Sequence, residues 1–545
     1  MRVLAALSML HEPGGSGIAR DSDSATRLFR GEPVLAWTLR RLKRARHVMA
    51  SAVMCWEDQL GGVERVAAES GAFVSVRTPR AHMPAIEAVA AAQRWSDGWR
   101  GGLLGSCDFD KGFYGPWLEE LRGQVECDAI LLVDPSAGLV DPELIDGLID
   151  HAIANPSVDL CFSPAAPGLS ATLIRPALLA PLASTKGHPG LALAYRPDQP
   201  RPDPIARDAC APIPVALART THRFSLDSHR QIERISVATE PLNGQLMGSG
   251  AEPLLNVLNL RTPADRLPRE IVLELNTGRA TNPIFWPGRY RALDRQPMPL
   301  ETVRGLIEEL AAAADDVRLC VAGAGDPLLH PDIITILEDA TGAGIRCIAL
   351  ETDFQGIVSE RAGELAETGI DIVSVHLPAT TGATYEAVMG IDGLRACIEN
   401  INAFLKWRAG RARGTPLLVP TFVKCAVNLG EMEAWYDHWL NTLNCAVIVG
   451  PGECGGIVPD IATADMSPPR RGACRRLDSR LTILCDGSVV SCEQDVLGRQ
   501  VVGRLGQMPL QEIWRSGMDR LRKDHAAGRF AEHPVCVNCR QWHRS

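Results

Sequence analysis

Four cysteines near the end of the chain have the residue type and spacing for metal chemistry. Cys536 and Cys539 form a C-x2-C pair in HPVCVNCRQW, and Cys474 and Cys492 bracket LTIL-CDG-SVVSC. A C-x2-C turn brings two sulfurs together locally, and a hairpin supplies the other two. Thiolates are soft and anionic, so four of them suit an iron–sulfur cluster or a tetrahedral zinc ion. Cys485 falls within the same stretch and reads as a strand thiol. The other eleven cysteines are scattered, many in apolar runs such as VRLCVAG and IRCIALE, where a buried structural thiol is the default. A second candidate is the Gly-punctuated run VAGAGDPLLH, which carries Gly323, Gly325 and Asp326. By itself it reads as a tight strand-to-helix turn.

The elements that must position these residues are legible in the hydrophobic pattern. From residue 270 the chain alternates strand and helix: IVLEL, then TVRGLIEELAAAA with Val303, Leu306, Ile307 and Leu310 on one face; VRLCVAG, then DIITILEDATGAG. RCIALET, DIVSVHL, PLLVPTFV and CAVIVG complete six strands. Such repetition implies a parallel sheet with right-handed crossovers, an open or closed barrel short of eight units. Residues 1–235 also alternate, with RVLAALSML and DAILLVD as strands and VLAWTLRRLKRA and PELIDGLIDHAI as helices. This is α/β patterning. The Gly, Pro and Asn clusters of 236–268 read as a linker. The expected domains are therefore 1–235, the linker, 269–470 and a Cys-rich 471–545.

The net charge of −9 argues against nucleic-acid binding by bulk electrostatics. No run of 18 apolar residues predicts a membrane span. The apolar N-terminus reads as a first strand entering a Gly loop rather than a signal peptide, so a cytoplasmic protein is expected.

The C-terminal pattern resembles the SPASM domain, the auxiliary-cluster module of many radical S-adenosylmethionine (radical SAM) enzymes. Cys474, Gly487, Cys492, the segment GRLGQMPLQEIWRSGMDRLRKDH and PVCVNC carry the likeness. It implies one auxiliary [4Fe–4S] cluster on Cys474, Cys492, Cys536 and Cys539. Larger versions hold two clusters, which is not expected here. The six-unit region resembles the radical SAM partial barrel through MPLETVRGLIEEL, VAGAGDPLLHPDI, IDIVSVHLPATTGATYEAVMG and AVNLGEMEAWYDHW. In that family the loop corresponding to Gly323-Ala324-Gly325-Asp326-Pro327 contacts the amino group of S-adenosylmethionine. The family's catalytic cluster needs C-x3-C-x2-C after the first strand. In LELNTGRATNPIFWPG, alignment of Glu274, Leu275, Pro287 and Gly288 puts Arg279, Pro283 and Trp286 at the three cysteine positions. None binds iron, and no C-x3-C-x2-C occurs elsewhere in the chain. Convergence of Cys320, Cys347 and Cys425 at one barrel end is the rescue left to the sequence.

Residues 1–235 resemble sugar-nucleotide cytidylyltransferases through RVLAALSML, GGSG, RLFRGEPVLAWTLRRLKRA and LLVDPSAGLVDPELIDGLIDHA. The resemblance implies a three-layer nucleotidyltransferase-like domain, degenerate here. HEPGGSGIAR lacks the basic Gly-loop pattern, with Arg20 and Arg27 as substitutes, and Ser136 stands at the metal position two residues from Asp134. The combination is similar to spiro-SPASM proteins. It implies an iron–sulfur protein with a degenerate barrel, a non-radical accessory in peptide or protein modification or in electron transfer. A peptide or protein substrate and a redox partner are the partners implied. The alternatives are a cytidylyltransferase-type enzyme and an unconventional radical SAM enzyme. The sequence gives weak grounds for S-adenosylmethionine or Mg²⁺ as a cofactor, and no catalytic residue is assigned.

Overall fold

Alternate residues of the first strand, β1 (Val3–Ser8), enter two different cores. Val3, Ala5 and Leu7 pack with Leu35, Leu39 and Ile149. Leu4 and Ala6 pack with Met54, Trp117 and Leu121. A strand buried on both faces needs helices on both sides, and this gives the three-layer arrangement expected from the sequence. In this computed structural model, residues 13–22, 79–82, 96–101, 200–207, 262, 356, 358 and 545 lie outside the described set, and with them most of HEPGGSGIAR and Arg20.

Residues Met1–Ala264 form one unit and Asp265–Ser545 another. In the first, a small hairpin of β2 (Leu28–Phe29) and β3 (Glu32–Pro33) precedes the helix Val34–Leu42. The main sheet adds β4 (Val48–Trp56), β5 (Phe73–Arg77), β6 (Ala129–Val133), β7 (Leu160–Phe162) and β8 (Thr172–Ile174). Its order is β5-β4-β1-β6-β8-β7. The first four are parallel, while β8 runs antiparallel to β6 and β7. The stretch expected as a linker behaves differently. Its helix Ala251–Leu260 buries Leu254, Leu255 and Leu258 against Trp37, Phe224 and Leu139 in the first unit. The Gly and Pro punctuation around it marks helix ends rather than a tether.

The second unit holds the expected six parallel strands in sequential order: β9 (Glu270–Leu273), β10 (Arg318–Val321), β11 (Cys347–Thr352), β12 (Ile372–His376), β13 (Leu417–Val423) and β14 (Val447–Val449). The helix Leu300–Ala313 buries the four apolar residues read from its periodicity, Val303, Leu306, Ile307 and Leu310. Sequential parallel order with helical crossovers is the arrangement of a partial barrel. The Cys-rich segment extends this sheet. Strand β15 (Arg480–Ile483) pairs parallel with β9, Leu481 opposite Ile271 and Ile483 opposite Leu273. β16 (Ser488–Val490) and β17 (Val501–Arg504) continue it antiparallel. Among the described residues no helix is long and apolar enough to cross a membrane.

Candidate functional site

The four predicted cysteines come from three pieces of chain. Cys474 opens a short 3-10 turn, Cys492 follows β16, and Cys536 and Cys539 lie in the final turns. The loop Cys536–Cys539 closes on itself through the Cys539 N–H, which donates to the Cys536 carbonyl at 3.1 Å. Arg471 holds this loop from outside, donating to the carbonyls of Cys536 and Val537. Burial pushes Cys536 up to about 12, and Cys539 and Cys474 add to the effect. Burial likewise raises Cys474 and Cys539 and takes Cys492 well up, with Cys539 acting on Cys474 and Cys536 on Cys492. Backbone N–H groups of Arg476, Gln494 and Gln541 favour the thiolate forms of Cys474, Cys492 and Cys539.

The surroundings fit a bound anionic cluster. Arg476 favours the ionised form of Cys474, Cys492 and Cys539. Arg476 Nε, Arg471 Nε, Ser491 Oγ and His525 Nε2 are buried without a hydrogen-bond partner, and such donors need an acceptor. The other nitrogen of His525 accepts the Cys474 N–H at 3.3 Å. Among the described residues, the set of ligand atoms lying within 4.8 Å of one another is His11, Glu12 and Asp134, not any three of these cysteines. Cys485 is a buried thiol just past β15, its N–H donating to Glu274 Oε1 at 3.3 Å.

The second predicted feature lies past the carboxyl ends of β9 and β10, where side chains bond to the backbone and to one another. Arg279 donates to the Ala324 carbonyl at 2.9 Å, to the Gly323 carbonyl at 3.4 Å and to Asp353 Oδ1 at 2.6 Å. The side chains of this ion pair are 7% and 0% exposed. Trp286 Nε1 donates to the same Ala324 carbonyl at 2.7 Å. Two of the three positions aligned with cluster cysteines thus converge on one atom. Asp353 also accepts from Thr281 and lies 3.0 Å from His376 Nδ1. Burial disfavours its ionisation, but Arg279 and His376 outweigh burial and hold it below the usual carboxylate range.

Gly323, Gly325 and Asp326, expected to face a ligand amine, are engaged internally. Asp326 is 1% exposed. One of its oxygens accepts the Leu328 N–H and the other accepts from Thr352 Oγ1 and the Asp353 N–H, each at 3.0 Å. A Cβ on Gly325 would overlap the Asn276 carbonyl, and one on Gly323 would come within 2.9 Å of Glu274. These glycines allow strand ends to approach, a demand of packing. Glu274, read from sequence only as a flank of the missing motif, ties three elements together. It accepts from Arg295 at 2.7 Å, from the Ala324 N–H at 3.2 Å and from the Cys485 N–H. Arg295 carries the link onward to the Val496 carbonyl at 2.8 Å. Cys320, Cys347 and Cys425 do not gather. Cys347 starts β11 and Cys425 follows the end of β13, so they lie at opposite ends of parallel strands.

Residues 474–540 match the family model SPASM, an iron-sulfur cluster-binding domain. The SPASM segment contains all four predicted cysteines. An uncharacterized protein of Treponema pallidum (strain Nichols) is 24% identical over 309 residues, 54% of this chain and 84% of that protein. A probable GTP 3',8-cyclase of Metallosphaera sedula is 28% identical over 97 residues, which span 18% of this chain and 30% of the cyclase. Among solved structures, BtrN in complex with AdoMet and 2-DOIA shares 17% identity at a TM-score of 0.37, covering 50% of this chain and 93% of BtrN. Streptococcus suis SuiB bound to precursor peptide SuiA shares 13% at 0.41, covering 51% and 71%. A cytidylyltransferase from Leptospira borgpetersenii shares 14% at 0.32, covering 48% and 94%.

Proposed function

We propose that this chain is an iron–sulfur protein that binds one [4Fe–4S] cluster through Cys474, Cys492, Cys536 and Cys539 and carries out no radical chemistry in its barrel. The single observation that carries the reading is the contrast between the two sites. The SPASM segment keeps four buried or half-buried thiols with Arg471 and Arg476 and unpartnered buried donors around them, whereas the barrel mouth holds the buried Arg279–Asp353 pair. A bound cluster would supply one-electron transfer. The protein's part is to hold the four sulfurs, shed their protons on binding and shield the site with Arg471 and Arg476. A carboxylate-bound guanidinium where a substrate-binding iron would be needed leaves no open iron site, so S-adenosylmethionine cleavage is not part of the function.

On this reading the chain is an accessory in peptide or protein modification or in electron transfer, with a peptide or protein segment as the partner class. Two measurements on anaerobically reconstituted protein test it together. Visible and spin-resonance spectra should show one reducible cluster, absent from the Cys536→Ala, Cys539→Ala double variant. Incubation with S-adenosylmethionine and a strong reductant should yield no 5′-deoxyadenosine above the protein-free rate. Reductant-dependent 5′-deoxyadenosine at catalytic turnover would overturn the proposal.

A further inference from the structure

In the first unit, β1 and β6 are adjacent parallel strands, Leu7 opposite Val133. They flank the point where strand order reverses, since β4 and β5 lie on one side of β1 and β6 on the other. Loops leaving the carboxyl ends of strands at such a point form the natural binding crevice of an open α/β sheet. His11 and Glu12 follow β1, and Asp134 follows β6. One ligand atom from each lies within 4.8 Å of the other two. We propose that His11, Glu12 and Asp134 form a binding site for one divalent transition-metal ion. The site is independent of the cysteine cluster and uses none of its residues.

The groups around the three side chains are those of a built site. Each carboxylate is fixed by hydrogen bonds from behind, as metal-binding carboxylates are. Glu12 accepts from Ser24 Oγ at 2.6 Å and from the Ser24 N–H at 2.8 Å. Asp134 accepts from Ser136 Oγ at 2.8 Å and the Ser136 N–H at 2.9 Å through one oxygen, and from Lys111 Nζ at 2.9 Å through the other. Each oxygen has lone pairs to spare. His11 Nδ1 is buried with no hydrogen-bond partner, and burial holds the ring neutral, its pKa lowered to about 4. A neutral imidazole with one unpartnered nitrogen, grouped with two anchored carboxylates, is a donor set in search of a cation. Lys111 does not fill that need alone. Its charge is shared with Asp108 at 3.6 Å and with Asp227 at 3.7 Å, and Asp227 is itself paired with Arg223 at 2.7 Å. Gly112 admits the close packing, since a Cβ there would lie 2.8 Å from His11 Nδ1. A cleft of about 770 Å³, counting space open to solvent, is lined by Ser8, Asp108, Lys111 and Asp134, and so reaches the three residues from the Asp134 side. Imidazole with two carboxylates selects Mn²⁺, Fe²⁺ or Zn²⁺ over Mg²⁺, which prefers oxygen donors alone.

Mn²⁺ titration of the full-length protein, followed by spin resonance, tests the assignment, because Mn²⁺ avoids thiolate sites. One Mn²⁺ should bind per chain and be displaced by Zn²⁺ far more readily than by Mg²⁺. His11→Gln and Asp134→Asn should each weaken binding ~10-fold or more, while the Cys536→Ala, Cys539→Ala variant should bind as wild type does. Lys111→Gln removes a neighbouring positive charge and should tighten binding ~10-fold, a gain that misfolding cannot produce. Absence of Mn²⁺ binding, binding unchanged by His11→Gln, weaker binding by Lys111→Gln, or displacement by Mg²⁺ as easily as by Zn²⁺ would each overturn it.

Discussion

Replacing Arg279 by Ala removes the only guanidinium bound to Asp353 among the described residues and leaves a carboxylate with 0% of its side chain exposed. The arginine also gives up its donations to the carbonyls of Ala324 and Gly323. Removing one partner of a buried ion pair costs ~3–5 kcal/mol, chiefly because the other charge stays buried. Thr281 and His376 remain to share Asp353, which places the expected loss near the lower end, about 3 kcal/mol. Denaturant unfolding of wild type, Arg279→Ala, Asp353→Asn and the double variant gives the cycle. The double variant should be more stable than the sum of the single losses by ~2 kcal/mol or more, since with Asn at 353 no unpaired charge is left. A loss below ~1 kcal/mol for Arg279→Ala, or additive single effects, would refute the claim that this pair plugs the barrel mouth.

Other outcomes follow from neighbouring contacts. Asp353 is held below the usual carboxylate range once Arg279 and His376 overcome burial, so its unfolded form binds protons at higher pH than its folded form. The stabilisation is complete above the ordinary Asp range and is lost as pH falls below ~4; acid titration of unfolding should show a wild-type decline there that Asp353→Asn lacks. Glu274→Ala should destabilise the second unit by ~2–4 kcal/mol, because it leaves Arg295 and the N–H groups of Ala324 and Cys485 short of an acceptor. Thermal unfolding that is unchanged in this variant would contradict the bridging role. Gly325→Ala should cost ~1–3 kcal/mol in the absence of any ligand, given the overlap with Asn276. Full stability in that variant would show that the glycine is not required by packing.

The strand–helix alternation of the second unit was readable because apolar periodicity is local: each helix face and strand run is written within a dozen residues. The Cys-rich segment was readable because its C-x2-C pair and the hairpin before it are each written locally, and residues 474–540 match the SPASM model. What escaped was pairing across distance. Arg279 and Asp353 are 74 residues apart, and nothing in GRATNP or ETDF announces their meeting. The signal available was the chemistry of the replacement itself, a cation in a cysteine position between the flanks Glu274-Leu275 and Pro287-Gly288. The bridging role of Glu274 has no local pattern, since its partners Arg295 and Cys485 come from a loop and from a distant hairpin. His11 and Glu12 open HEPGGSGIAR, but their third partner, Asp134, comes from the end of a distant strand, and no local pattern joins the three. The stretch 251–260 was legible after all: AEPLLNVLNL carries Leu254, Leu255 and Leu258 at helical spacing, yet Gly and Pro on either side made it resemble a tether.

Iron stoichiometry after anaerobic reconstitution tests the central claim most directly. One cluster on Cys474, Cys492, Cys536 and Cys539 with a closed barrel mouth predicts about four irons per chain in wild type and almost none in the Cys536→Ala, Cys539→Ala variant. About eight irons, or one zinc and no iron, would contradict it.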